Sequence, residues 1–249
     1  MATAEFELLG ALETHDVDAI RAILETGWDM RQPIKGKSIV TTLTEMYTRS
    51  DRFPACLRLL LERGGVLDDP RVAPVLLDDP VALGAALRAS SSLITYRTSM
   101  VSAYTPLIGA SMLHVAAEFG HLNAARVLIE RGAVVDARAA MDDFGLNGHT
   151  PLFHTVNSHA NRSAPVMELL LSAGARATIH VPGIIWGKGF EWETTCFDVT
   201  PISYAQFGLL PQMHRREADV AATVTRLLRA AGRRVPPMTN VPNQYLVKR

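Results

Sequence analysis

A short apolar phrase recurs along the 249-residue chain: two or three leucine-like residues, two spacer residues and a glycine. The copies end at Gly27, Gly64, Gly132, Gly174 and Gly232, the last with one extra spacer. The apolar residues suit the buried face of a short helix. The glycine ends that helix, because glycine takes the left-handed conformation without a Cβ penalty. The pattern therefore predicts several short helices that all end in the same way.

A second phrase marks where units begin. Thr150-Pro151-Leu152 and Thr200-Pro201-Ile202 share one pattern, and Ser111-Met112-Leu113-His114 is a variant without the proline. Thr or Ser serves as the N-cap, and proline is tolerated at the first helical position because its missing N–H would be unpaired there. Opening and closing phrases together predict a repeated helix–turn–helix unit.

Residues 111–137 give the most complete copy of that unit. They include Leu113-His114 in the opening phrase, Gly120-His121 in the middle and Gly132-Ala133 at the close. This segment resembles one nearly complete ankyrin repeat, and the chain resembles a bacterial-type member of the ankyrin-repeat family with long finger insertions. The resemblance implies an all-α fold: an ankyrin-repeat solenoid of about six helix–turn–helix units with a β-hairpin-like insertion. It also implies that His114 and His121 hydrogen-bond the backbone of neighbouring units.

The two phrases divide the chain into an array over residues 1–232 and a C-terminal tail over 233–249. The predicted units lie near 5–33, 38–70, 71–108, 111–143, 149–181 and 200–232. The third is the least regular, since it has no terminating glycine.

Insertions interrupt this array, because the spacing of the opening residues exceeds the ankyrin length of about 33 residues. They lie before or between units at 99–110, 141–148 and 181–198, and inside the last two units at 157–163 and 209–217. Residues 181–198 alternate aromatic and polar side chains around Gly187-Lys188-Gly189, which predicts a β-hairpin with Glu191 and Glu193 on one strand face. Phe190 and Trp192 would then share the other face. In the family, such insertions border the concave binding face.

Composition limits the possible partners. Lys+Arg and Asp+Glu are equal at 25 each, which gives no basic excess for nucleic acid. No apolar run approaches the ~20 residues of a membrane span, and the N-terminus has no signal-peptide pattern. Two distant cysteines, Cys56 and Cys196, favour a reducing compartment, so we expect a cytoplasmic protein.

No residue pattern indicates a cofactor or a metal. His149, His154 and His159 recur every five residues, a spacing that does not share one helix face. Lys188 lies in too short a glycine segment for a phosphate loop. The carboxylates Glu191, Glu193 and Asp198 suit either acid–base chemistry or the solvated face of a hairpin.

We predict a protein–protein interaction module that binds an unidentified protein partner through its concave face and finger loops. The predicted contact residues are Tyr104, Phe144, His149, His154, Trp186, Lys188, Glu191 and Trp192. The alternative is a small-molecule-binding protein or enzyme whose pocket forms where the 181–198 insertion covers the concave face. That alternative predicts convergence of Glu191, Asp198 or His154, whereas a scaffold predicts an open groove with exposed aromatics. Self-association through the insertion is a third hypothesis.

Overall fold

The computed structural model describes residues 2–207 and 215–236. These residues form twelve α-helices, three short 3-10 helices and two antiparallel β-hairpins. The α-helices are α1 Ala2–Thr14, α2 Val17–Glu25, α3 Ile39–Glu45, α4 Phe53–Glu62, α5 Ala73–Leu76, α6 Pro80–Ala89, α7 Met112–Phe119, α8 Leu122–Glu130, α9 Pro151–Val156, α10 Ala164–Ser172, α11 Pro201–Gln206 and α12 Glu217–Ala230. The strands are β1 Arg97–Met100, β2 Leu107–Ser111, β3 Val181–Trp186 and β4 Thr194–Val199, and the 3-10 helices are Pro70–Val72, Ser91–Thr95 and His159–Asn161.

The helices pack in consecutive pairs and form two layers. Each odd-numbered helix contacts the even-numbered helix that follows it. In one layer α1 contacts α3, and α5, α7, α9 and α11 contact one another in order. In the other layer α2 contacts α4, and α6, α8 and α10 form a second row. Helix α7 is the centre of the core, because all of its residues are buried.

The glycine phrase is confirmed as a helix terminator. The five predicted glycines all have positive φ, between 65° and 95°. The opening phrase is only partly confirmed. The Thr200 hydroxyl accepts a hydrogen bond from Ser203 N at 3.2 Å, as an N-cap does, whereas the Thr150 hydroxyl makes no capping bond. Thr150 begins α9 by its extended backbone alone.

The predicted all-α class and regular six-unit ankyrin solenoid are wrong for the described residues. Two segments between helix pairs form β-hairpins, because their backbone groups bond to each other across antiparallel strands. The predicted unit at 71–108 is also irregular. Its first helix, α5, has only four residues, since Asp78 adopts a left-handed φ of 46° and Pro80 starts the next helix. The rest of that segment continues into a 3-10 helix and strand β1.

The first hairpin, residues 97–111, joins β1 and β2 around the insertion predicted at 99–110. Arg97 pairs with Ser111 and Thr98 with Ala110, and the register then shifts before Met100 pairs with Leu107. Asp69 anchors this hairpin, because its carboxylate accepts bonds from Tyr96 Oη at 2.6 Å and Thr98 Oγ1 at 2.8 Å. Burial raises the pKa of Asp69, but these bonds and one from Arg71 outweigh burial and lower it overall.

The second hairpin, residues 181–199, confirms the predicted β-hairpin insertion. Its register runs from Val181 opposite Val199 to Trp186 opposite Thr194. The predicted strand alternation of residues 190–193 is wrong, because residues 187–193 form the connecting turn. Backbone bonds from Phe190 N to Gly187 O and from Glu193 N to Phe190 O, each 3.0 Å, close that turn. Phe190 and Trp192 still meet, with stacked rings whose centroids are 4.7 Å apart.

A third finger, residues 141–147, lies between the two hairpins and is bonded to both sides. Ala140 N, at its start, donates to Ile108 O of the first hairpin at 3.0 Å. At its end, Asn147 N donates to Gly183 O of the second hairpin at 2.7 Å. The three fingers therefore form one continuous row. The insertion predicted at 157–163 contains the 3-10 helix His159–Asn161. Residues 209–214 of the last predicted insertion and 237–249 of the predicted tail lie outside the described residues.

Candidate functional site

A buried polar network lies beneath the fingers and is centred on Glu118 of α7. Its carboxylate accepts a hydrogen bond from Ser102 Oγ of the first hairpin at 2.5 Å. The other carboxylate oxygen lies 2.7 Å from His154 Nδ1 of α9. All three side chains are buried. One carboxylate thus joins a hairpin loop to two helices.

The hydrogen-bond partners fix which histidine nitrogens carry protons. His114 Nδ1 accepts from Ser111 N at 3.1 Å, so its Nε2 donates to His149 O at 3.2 Å. His154 donates from Nδ1 to Glu118, which leaves its Nε2 as an acceptor. His149 Nε2 then donates to Pro106 O at 3.0 Å and to His154 Nε2 at 3.1 Å. Burial holds the pKa of both His114 and His149 well below the ordinary value.

Arg49 supplies the positive charge of this network. Its Nη2 lies 3.9 Å from Glu118 Oε1, and Nη1 donates to the carbonyl of Met46. The guanidinium also lies over the Phe119 ring, 4.3 Å from the ring centroid. Burial lowers the pKa of Arg49, and Glu118 opposes that shift. A buried arginine with one nearby carboxylate depends strongly on that carboxylate for its stability.

The network does not have the arrangement of a hydrolytic triad. In such a triad the imidazole lies between the nucleophile and the acid, whereas the Ser102 hydroxyl here bonds directly to the Glu118 carboxylate. Glu191 and Asp198 are exposed, and Asp198 pairs with His180 rather than with His154. The predicted convergence of these three residues is not observed. The geometry instead holds loops and helices together.

The turn of the second hairpin is held against the N-terminal third of the chain. Gly187 N donates to Tyr104 O at 2.9 Å, and the rings of Tyr104 and Trp186 lie 5.9 Å apart. Tyr104 Oη in turn donates to the carbonyl of Tyr47. Phe190 lines a cleft of about 200 Å³ together with Leu9, Ile34 and Met46. The insertion therefore lies over the first helix pairs.

An exposed apolar patch lies where the third finger meets the second hairpin. We call Met141, Phe144 and Phe197 the finger patch; their exposed fractions are 58%, 87% and 67%. Leu146 and Phe197 flank Gly183 closely, since a Cβ built there would lie 3.0 Å from Leu146 Cδ2 and 3.5 Å from Phe197 Cδ1. Leu146 of the third finger and Phe197 of the second hairpin therefore both approach Gly183, where the two fingers are bonded.

A groove of about 330 Å³ lies along the first hairpin, and we call it the hairpin groove. It is lined by Ser99, Met100, Val101, Ser102, Pro106, Leu107, Ile108 and Lys188. The aliphatic and proline residues come from the first hairpin, and Lys188 comes from the turn of the second. Two insertions therefore build this groove together.

The central part of the fold matches a known family. The model of the ankyrin repeat family matches residues 109–140, which span the end of β2, α7, α8 and the start of the third finger. Residues 109–140 therefore form an ankyrin repeat. A search of curated proteins finds none that matches it.

The two histidines of the matched repeat, His114 and His121, have the structural role that the resemblance implied. His114 Nε2 bonds the backbone carbonyl of His149 in the next helix pair. His121 Nδ1 bonds the carbonyl of Val75 in the preceding pair at 2.8 Å. Burial lowers the pKa of His121. Both histidines therefore join neighbouring helix pairs through backbone carbonyls.

The eight predicted contact residues divide into two groups. Tyr104, His149, His154 and Trp186 are buried, and they support the fingers from below. Phe144, Lys188 and Glu191 are exposed and Trp192 is partly exposed, so these four are accessible to a partner. His159 lies apart from His149 and His154 and approaches Arg49 O. Within residues 2–207 and 215–236, no group of three or more His, Cys, Asp or Glu is arranged to hold a metal ion.

Sequence reasoning missed Met141 and Phe197 as exposed apolar residues. Phe197 was recognised as part of the insertion, but its orientation depends on the register that sets it opposite Gly183. Met141 begins the third finger, where a bridge to Asn147 closes the loop. In the part of the chain that the structure describes, no helix has both the length and the apolar character that a membrane span requires.

Proposed function

We propose that this ankyrin-repeat protein is a protein-interaction module that binds its partner through the finger patch. The observation that carries this proposal is the row of three hydrogen-bonded fingers, on two of which Met141, Phe144 and Phe197 are exposed. Large exposed apolar side chains on a monomer often mark interaction sites. Aromatic residues also contribute disproportionately to binding energy at interfaces.

The buried network supports this proposal by making the fingers rigid before a partner arrives. Ser102, Glu118 and His154 tie the first hairpin to α7 and α9. Arg138 Nη1 donates to Gly148 O at 2.8 Å and holds the end of the third finger. A preorganised surface loses less conformational entropy on binding, so more of the contact energy appears as affinity.

The position of the insertion favours partner binding by the fingers rather than by an open concave face. Trp186 is buried, and the turn that follows it lies against Tyr104 and the N-terminal helix pairs. Two of the exposed aromatic residues, Phe144 and Phe197, lie on the fingers, as the scaffold hypothesis requires. We therefore propose that Phe144 contacts the partner directly, with Lys188, Glu191 and Trp192 at the edge of the same side. Both cysteines are free, and we propose a reducing compartment, the cytoplasm, as the site of action.

A comparison of two triple variants tests the proposal. The patch variant replaces Met141, Phe144 and Phe197 with serine. The control variant replaces Phe6, Val66 and Val81 with serine, since these residues are comparably exposed but lie outside the three-finger row. Each tagged protein is used to capture partners from an extract of its own cells, and a captured protein is then purified and titrated.

We expect the wild-type and control proteins to bind the purified partner with similar affinity. The patch variant is expected to lose at least about 2 kcal/mol of binding free energy, as hot-spot truncations do. Equal affinity of the patch variant and the control would reject the finger patch as the binding site. Concentration-dependent dimerisation that only the patch variant loses would instead support self-association.

A further inference from the structure

We propose that the hairpin groove binds a small amphipathic molecule that carries one carboxylate, with the apolar part in the groove and the carboxylate on Lys188. This site contains none of the three finger-patch residues but shares Lys188 with the edge of the proposed partner contact, and its test uses no protein partner.

The walls of the groove fix the apolar character of the ligand. Met100, Val101 and Ile108 of the first hairpin present hydrocarbon surface, and the buried Pro106 and Leu107 lie behind them in the lining. Val101 and Ile108 are large apolar residues that remain exposed to solvent. The volume of about 330 Å³ lies at the lower end of the range for small-molecule sites, which is about 300–1,000 Å³. A ligand that covers these walls would remove exposed apolar area from water.

The two serines that line the groove are already engaged by the protein. Ser99 Oγ accepts a bond from Gly109 N at 3.0 Å. Ser102 Oγ donates to Glu118 and accepts from Tyr104 N at 3.3 Å. Ser102 is therefore used by the protein as both donor and acceptor, and the charge for ligand recognition comes from Lys188.

Lys188 is the charged residue that lines the groove, and within residues 2–207 and 215–236 it has no ion pair. The nearby Glu193 is committed elsewhere, since its Oε2 accepts from Gly189 N at 2.8 Å. A lone ammonium at the edge of an apolar groove complements one negative charge. A phosphate dianion would leave excess charge, and the lining has no arginine for bidentate contact. A monocarboxylate therefore fits best.

The backbone presents Lys188 in a defined direction. Gly187 and Gly189 on either side have φ of 64° and 84°, a region that L-residues with side chains rarely adopt. Hydrogen bonds from Gly187 N to Tyr104 O and from Gly189 N to Glu193 Oε2 fix both flanking peptides. The backbone on both sides of Lys188 is thus held by hydrogen bonds, one of which joins the turn to Tyr104 of the first hairpin.

Three ten-carbon probes that differ only in their head group test the inference: decanoate, decanol and decylamine. Each is titrated below its micelle concentration into the full-length protein and followed by calorimetry. We expect decanoate to bind roughly tenfold or more tightly than decanol, because a hydrogen bond to a charged group adds to the shared apolar contact. Decylamine is expected to bind more weakly than decanol, since its charge repels Lys188.

Variants then assign the site. Lys188→Met should reduce decanoate affinity roughly tenfold and leave decanol affinity unchanged. The control Lys35→Met should change neither, since Lys35 is an exposed lysine outside the groove lining. Ile108→Asp should weaken the binding of both decanoate and decanol.

The chain has four lysines, at 35, 37, 188 and 248. Amine acylation with mass spectrometry should therefore show protection of Lys188 by decanoate.

Three results would overturn the proposal. The first is no decanoate binding at any concentration below its micelle concentration. The second is equal affinity for all three probes, or an unchanged decanoate affinity in Lys188→Met. The third is tighter binding of a short apolar peptide with a free C-terminal carboxylate, which would assign the groove to a protein terminus. These titrations use no protein partner. A negative result would therefore reject the ligand site without rejecting partner binding by the finger patch.

Discussion

Gly187 N donates a hydrogen bond to Tyr104 O at 2.9 Å and so joins the turn of the second hairpin to the loop of the first. The ring of Trp192 lies directly against the same glycine. A Cβ built on Gly187 would lie 2.7 Å from Trp192 Cδ1, and no real Cβ has such a contact. The close approach of the insertion to Tyr104 therefore requires glycine at this position.

Substitution of Gly187 by alanine is expected to destabilise the protein more than the same change at Gly189. Both residues have positive φ, and that backbone conformation alone costs an L-residue about 1–2 kcal/mol. A Cβ on Gly189 meets nothing within 4 Å, whereas one on Gly187 forces Trp192 to move. Overpacking of this kind adds about 1–3 kcal/mol. Urea unfolding of the two variants measures the difference.

Gly189→Ala is thus the matched control for backbone strain. If Gly187→Ala and Gly189→Ala lose the same free energy of unfolding, Trp192 does not pack against the turn in solution. A change in the tryptophan emission spectrum of Gly187→Ala alone would independently report the displaced ring.

Glu118→Gln is expected to be strongly destabilising, because it removes the carboxylate that faces the buried Arg49. Removal of one partner from a buried ion pair costs about 3–5 kcal/mol, since the other charge is left uncompensated. The double variant Glu118→Gln/Arg49→Met should recover part of that loss, because it removes the orphaned charge as well. Glu130→Gln, at an exposed glutamate at the end of α8, is the control and should have little effect. The free energy of unfolding in urea distinguishes these cases.

A Glu118→Gln variant as stable as Glu130→Gln would contradict the role assigned to Glu118. A double variant that is less stable than Glu118→Gln would contradict the role assigned to Arg49. Its uncompensated charge would then not explain the lower free energy of unfolding of Glu118→Gln.

The repeat phrases predicted local structure well because they depend on local physics. Glycine terminators need only the conformational freedom of glycine, so Gly132 and Gly174 ended helices as expected. The hairpin at 181–199 was also visible in its alternating pattern. The position of the turn was not, because Phe190 and Trp192 are in the loop and stack on each other instead of alternating along a strand.

Long-range contacts explain the predictions that the sequence could not make. His154 and Trp186 looked accessible because they lie in or near insertions, but Glu118 and Tyr104 bury them from elsewhere in the chain. The irregular third unit has a comparable cause. Asp78, whose left-handed backbone ends α5, accepts a bond from Ala124 N of α8 at 2.8 Å, a tertiary contact without a sequence motif.

The stability of the protein should fall as the pH drops from about 6.5 towards 4.5. Burial lowers the pKa of His15 to about 4, and it also lowers the pKa of His114, His121 and His149. Below about pH 6.5 the unfolded chain binds more protons at these histidines than the native state does. Each histidine therefore removes up to about 1.36 kcal/mol of stability per pH unit in this window.

Urea unfolding at half-unit steps between pH 7.5 and 4.5 measures that slope. His15→Gln should make the slope shallower by about one proton, because its ring titrates only in the unfolded chain above pH 4. A free energy of unfolding that stays constant between pH 6.5 and 5 would mean that these histidines are protonated, and hence solvated, in the native protein.

Thiol labelling should show that the second hairpin opens separately from the helices. Cys56 of α4 and Cys196 of β4 are both buried, and burial raises the pKa of Cys56 to about 11 and raises that of Cys196 as well. The reactive thiolate is therefore scarce in the native state, and both thiols should react slowly with iodoacetamide at pH 8. Gly187→Ala weakens the attachment of the hairpin turn to Tyr104, so it should accelerate labelling of Cys196 and leave Cys56 unchanged. For each 1.4 kcal/mol of local stability lost, the rate should rise about tenfold.

Mass spectrometry of the two cysteine peptides over time gives both rates from one sample, with Gly189→Ala as the control. Equal acceleration at both cysteines would mean that the hairpin and the helices unfold as one cooperative unit.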